Sequence, residues 1–144
     1  MKKIGLLIVL LISLISCSND DNDNTPTADY HGKWNLTSMS RNKNPSANSI
    51  DIMEWQESYI FSSSGKFSKT RIKDNKKTTV FGTYTVVETS EQTQLTLIYG
   101  AQNDIIGTCT GNLTENLYII KTVGKLFSTW GICDGPLLSY DKSN

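Results

Sequence analysis

Few residues in this 144-residue chain are of types that could do chemistry. There are three cysteines (Cys17, Cys109 and Cys133) and one histidine, His31. Asp51, Glu54 and Glu57 lie close enough in sequence to act as an acid and base pair. If Ser49 caps a short helix running to Glu57, however, the same acids simply favour the positive end of its dipole. His31 has no cysteine or serine in a nucleophile turn beside it, which reads as a surface position. A zinc site is disfavoured because no Cys-x-x-Cys is present and only one histidine is available. The chain is therefore expected to be no enzyme and to need no cofactor or metal. The remaining charge cluster is basic: Lys66, Lys69, Arg71, Lys73, Lys76 and Lys77. On a strand, Lys69, Arg71 and Lys73 share one face. Such a face either guards a sheet edge against unwanted pairing or attracts anionic headgroups or an acidic glycan.

The elements that must position these groups begin with a leader. Met1-Lys2-Lys3 is basic, Ile4 to Ile12 is almost wholly aliphatic, and Ser13 to Ser16 ends in small and short side chains before Cys17. Only 13 residues separate Lys3 from Cys17, too few for a membrane span, which needs about 20, but right for a signal-peptide core. The segment resembles a bacterial lipoprotein signal peptide. The resemblance implies cleavage after residue 16, a diacylglyceryl group on the Cys17 thiol, and an acyl chain such as palmitate on the new amino terminus. Two or more chains hold a protein stably on a bilayer, at about 0.8 kcal/mol per buried methylene. Residues 17–29 then form an acidic tether, Asn19-Asp20-Asp21-Asn22-Asp23-Asn24, which lacks apolar residues and is expected to be disordered. A tether alone explains that run. It is also similar to the surface-export signal of some Gram-negative lipoproteins, which implies an outer-membrane, lipid-anchored protein displayed outward.

Beyond residue 16 the chain carries 12 basic and 14 acidic residues. With no basic excess to release phosphate counterions, nucleic acid is not an expected partner. An exported chain meets an oxidising compartment, so Cys109 and Cys133 are expected to be bridged. Closing a loop of that size is worth about 3.5 kcal/mol in chain entropy.

From residue 30 to 144 the pattern is that of one all-β domain. Short alternating segments are expected around Lys33–Ser40, Tyr59–Phe61, Lys66–Phe67, Thr78–Val87, Leu95–Tyr99, Ile105–Leu113, Leu117–Thr122 and Leu137–Asp141. Ser62–Gly65, Lys73–Lys77 and Thr114-Glu115-Asn116 read as turns. Ser49–Glu57 reads as a short helix, and Lys121–Pro136 as an apolar stretch broken by Gly124, Gly131 and Gly135. About eight antiparallel strands with hairpin-length links favour a small up-and-down barrel over a sandwich.

Gly32-Lys33-Trp34 at the head of the first strand resembles the Gly-x-Trp signature of lipocalins. Tyr59-Ile60-Phe61, Gly65-Lys66-Phe67 and Gly82-Thr83-Tyr84-Thr85-Val86 are similar in order and spacing to lipocalin-like domains of bacterial lipoproteins. The resemblance implies that Gly32 and Trp34 close one end of the barrel. It also implies an envelope protein holding a small apolar or amphipathic ligand; a monomer is expected, with Trp55, Phe127 and Trp130, which lie in the two irregular stretches, as the contacts at the barrel mouth. The alternative is a barrel filled by its own side chains that docks an envelope protein partner through its loops. An eight-stranded barrel permits either.

Overall fold

The computed structural model describes residues 30–41 and 53–144. The expected leader, Cys17 as the expected lipidation position, the expected acidic tether, Ser49 and Asp51 lie outside the described residues. Eight strands form in chain order: β1 (Gly32–Ser40), β2 (Gln56–Phe61), β3 (Lys66–Lys73), β4 (Lys76–Glu88), β5 (Gln92–Tyr99), β6 (Thr114–Ile120), β7 (Lys125–Ser128) and β8 (Leu137–Lys142). Each pairs antiparallel with the next, and β8 pairs back onto β1, so the sheet closes into an up-and-down barrel. Closure leaves no edge strand, so the basic residues of β3 have no edge to guard.

Turn chemistry sets the hairpins. Asp74 and Asn75 both take positive φ, at 50° and 62°, as a two-residue type I′ turn between β3 and β4 demands. The alternation of each strand then sorts its residues. Trp34 and Leu36 on β1, Tyr59 and Phe61 on β2, Leu95, Leu97 and Tyr99 on β5, and Leu138 and Tyr140 on β8 point inward and are buried. A register shift between Leu36 and Ser38 brings Met39 back to the inner face.

One rim lies at the head of β1, where Gly32 and Trp34 sit. Gly32 takes φ 102°, open to glycine at no steric cost, and turns the chain into β1. Trp34 is 1% exposed, donates its indole N–H to the Tyr30 carbonyl at 2.9 Å, and has the Lys142 ammonium 6.0 Å from its ring.

Three expectations need correcting. Ile105–Leu113 is not a strand but part of the loop between β5 and β6. Thr114-Glu115-Asn116 is not a turn but the start of β6, paired with Ile98, Leu97 and Thr96. Glu57 lies on β2, not on a helix. The eighth strand is instead β7, inside the glycine-broken apolar stretch, followed by a single 3-10 turn over Trp130–Ile132.

Candidate functional site

Strand parity places charge inside the barrel. Glu57 shares the inward face of β2 with Tyr59 and Phe61, and Lys69 and Arg71 share that of β3 with Phe67. Glu115 shares the inward face of β6 with Leu117 and Ile119. The β2–β3 register sets Glu57 opposite Arg71 and Tyr59 opposite Lys69, and opposite charges directly across a ladder attract. The Lys69 and Glu115 side chains have no exposure to solvent, nor does that of Glu57.

The geometry satisfies every charge. Lys69 Nζ donates to Glu115 Oε1 and Oε2 at 3.1 and 3.2 Å and lies 3.3 Å from Glu57 Oε1. Arg71 Nε donates to Glu57 Oε2 at 2.5 Å. Three phenols complete the set: Tyr140 donates to Glu57 Oε1 at 2.7 Å, Tyr59 to Glu115 Oε1 at 2.9 Å, and Tyr99 to Glu115 Oε2. Two cations thus balance two carboxylates. Burial, followed by the charge of Glu115, pushes the Tyr59 and Tyr99 phenols far up. Burial and then Glu57 do the same to Tyr140, so all three remain neutral donors. A fully satisfied buried network of this kind fixes a unique packing, and breaking one partner costs about 3–5 kcal/mol.

Above this plug, at the rim opposite Trp34, Arg71 reaches the loops. Its Cζ lies 4.3 Å from the Trp55 ring and 5.8 Å from the Trp130 ring, within cation–π range on both sides. Its Nη2 donates to the Ile105 carbonyl at 3.3 Å. Ile105 and Ile106, both 6% exposed, seal the β5–β6 loop down onto the barrel. The disulfide between Cys109 and Cys133, with Cα atoms 5.7 Å apart, fastens that loop to the segment carrying Trp130. Gly135 lets this happen: a Cβ there would stand 2.3 Å from the Trp130 ring.

Trp55 carries the one anomaly at this rim. It is 6% exposed, and no described residue accepts a hydrogen bond from its indole N–H, an omission worth about 1–3 kcal/mol.

Of the three aromatic residues expected at the mouth, Trp55 and Trp130 are brought together around Arg71. Phe127 is not. It has the outward parity of β7 and stacks on Tyr118 of β6, with ring centroids 5.4 Å apart and planes 20° apart. Sequence reasoning misses the charged residues at the centre. It groups Glu57 with Glu54, which instead faces Arg41 at 2.6 Å. It reads Lys69 and Arg71 as a solvated face, and Glu115 as a turn. The signal that finds them is parity, since each shares its face with aromatic or aliphatic neighbours.

Two open hollows are found among the described residues. One, of about 480 Å³, runs where β1 and β2 part, lined by Leu36, Met53, Glu57 and Ile72 among others. The other, of about 330 Å³, lies beside Phe81 and residues 100–103. Neither is lined by Trp55, Phe127 or Trp130. Among the described residues no group of three or more His, Cys, Asp or Glu gathers to hold a metal ion.

Comparison with family models, with curated proteins and with solved structures finds no match. Function is therefore read from geometry alone.

Proposed function

We propose that this chain is a lipid-anchored, non-catalytic envelope protein whose barrel is a filled scaffold. Its working surface is the loop rim around Trp55, Arg71 and Trp130. One observation carries the reading: the inward faces of the strands meet one another. Trp34, Tyr59, Leu95, Leu97, Leu117 and Tyr140 are at most 1% exposed, and Lys69 and Glu115 occupy the centre where an apolar ligand would otherwise lie. A guest inside would have to displace paired charges, which is costly.

Native mass spectrometry of the full, acylated chain tests this reading. The expected mass is that of the polypeptide and its acyl groups. One retained equivalent of an apolar molecule would overturn it in favour of a hollow carrier. Anchoring is tested by Cys17→Ser, which should move the protein from membranes to the soluble fraction. Surface display is tested by protease treatment of intact cells, which should degrade it. The small-ligand reading keeps one foothold, the rim where two tryptophans flank an arginine.

A further inference from the structure

We propose that the free flank of β4 at residues 77–79 takes up an extended, acidic segment of a partner protein as an added strand. This surface lies on the barrel wall, apart from the tryptophan-flanked rim, and goes beyond the role given to that rim.

Strand register exposes the flank. β4 runs from Lys76 to Glu88 and pairs with β3 from Lys76 to Thr83, but with β5 only from Gly82 onward. Its first residues therefore overhang on the β5 side. Parity decides which backbone groups point there. The two-residue turn at Asp74 and Asn75 makes Lys73 and Lys76 a hydrogen-bonded pair, and such pairs alternate along an antiparallel ladder. Lys76, Thr78 and Val80 thus bond β3, while Lys77, Thr79 and Phe81 turn their N–H and C=O groups the other way. The Phe81 carbonyl agrees with this parity, accepting from the Gly100 N–H at 3.3 Å. Beyond that rung no described residue hydrogen-bonds the Lys77 or Thr79 backbone on this side.

The same place has room. Past Gly100 the chain no longer pairs with β4, and a hollow of about 330 Å³ lies among Thr79, Val80, Phe81 and residues 100–103, within the size range of binding clefts. Alternating donors and acceptors along an open strand flank are matched in full only by another extended backbone. Side chains on the outer face add an apolar shelf. Phe81 is 68% exposed and Ile98, diagonal to it across the ladder, is 48% exposed, within reach of an alternate side chain of the added strand.

Charge selects the partner. The hairpin beside the hollow carries Lys73, Lys76 and Lys77 against Asp74, and Asp104 follows the facing wall, so cations outnumber carboxylates. A second copy of this chain would bring a like hairpin alongside the first and set lysines near lysines, which opposes self-pairing. An acidic segment meets the opposite sign.

The test is a titration of the full, acylated chain in detergent micelles, read in ¹H–¹⁵N spectra at constant ionic strength. The probes are the peptide acetyl-Glu-Val-Thr-Val-Glu-amide, its counterpart with lysine in place of both glutamates, and two forms of the acidic peptide N-methylated at alternate residues. The acidic peptide is expected to shift the Lys77 and Thr79 backbone N–H resonances saturably and to slow their hydrogen exchange. One N-methylated form should bind and the other should not, because an added strand pairs through one flank only. The lysine peptide should bind about tenfold more weakly. Thr79→Pro removes one open N–H and leaves the β3 ladder in place, as proline is tolerated where its nitrogen faces away from the sheet, and it should abolish the shifts. If Thr79→Pro proves unfolded, the two N-methylated peptides on the unmodified chain still decide the matter. Equal binding by both N-methylated forms would overturn the proposal, as would silence at Lys77 and Thr79 or a lysine peptide that binds as well as the acidic one. Shifts at the same two residues on raising the protein concentration without peptide would also overturn it, in favour of a second copy.

Discussion

Replacing Lys69 with methionine should remove the keystone of the barrel interior. The ammonium lies 3.1 and 3.2 Å from the two oxygens of Glu115 and 3.3 Å from Glu57, and none of the three side chains meets water. Without it, two buried carboxylates share the single positive charge of Arg71. Breaking a buried pair on one side costs about 3–5 kcal/mol, against a total of roughly 5–15 kcal/mol for a domain of this kind. A second substitution sharpens the argument. In the double variant Lys69→Met/Glu115→Gln the Glu57–Arg71 pair remains neutral, and the carbonyl of the introduced amide can still accept from Tyr59 or Tyr99. The double variant should therefore cost less than the sum of the two singles by about 2 kcal/mol, within the range seen for residues in one network. Urea unfolding of all four proteins, followed by far-ultraviolet circular dichroism, measures the cycle. Additive losses, or a Lys69→Met cost below about 1 kcal/mol, would refute the account of the plug as one coupled unit.

Three further outcomes follow from the same structure. The Tyr59, Tyr99 and Tyr140 phenols are raised above their ordinary value of 10.0 in the folded state, so above that pH only the unfolded chain releases their protons. Their contribution is complete below about pH 10 and is lost as pH rises, at up to about 4 kcal/mol per pH unit for three such groups. Tyrosinate absorbance from these residues should accordingly appear only together with unfolding, and its appearance in a still-folded barrel would contradict the burial. Gly82→Ala should lower the urea midpoint by an amount equivalent to about 1–3 kcal/mol, because the new Cβ would stand 2.1 Å from the Ile98 carbonyl oxygen; an unchanged midpoint would show that β4 and β5 separate freely. Paired Cys109→Ser and Cys133→Ser substitutions should cost about 2–4 kcal/mol and speed amide exchange at Ile105 and Ile106 while leaving β1 and β8 protected. Uniform acceleration would mean that the bridge supports the whole barrel rather than its rim.

Much of the architecture was legible in the sequence, for physical reasons that also explain the failures. Leu95, Leu97 and Tyr99 alternate with exposed or half-exposed residues, and a closed sheet buries one face of each strand, so alternation suffices there. The Asp74-Asn75 turn was legible because few residues tolerate positive φ. At β6 local chemistry misleads: Thr114-Glu115-Asn116 has turn composition, yet pairing with Ile98, Leu97 and Thr96 prevails. Ile105 and Ile106 are apolar because they plug a rim, not because they alternate in a strand. The site suffers most. Charged residues are almost never fully buried unless paired, and the partners Glu57, Lys69 and Glu115 come from three different strands. Their distance in sequence conceals the pairing that makes their burial tolerable. Trp55 and Trp130 stand out by their irregular surroundings, but Arg71, which joins them, does not.

The closing seam has a mechanical meaning. Trp34 pairs with Lys142, so the chain enters and leaves the barrel at the same rim, while the tryptophan-flanked arginine occupies the other. A pull applied between the two rims runs along the strand axes. Such a load strains the rungs joining the first strand to both its neighbours at once instead of peeling them off one by one. A barrel loaded between its two mouths is thus set up to shear rather than to unzip.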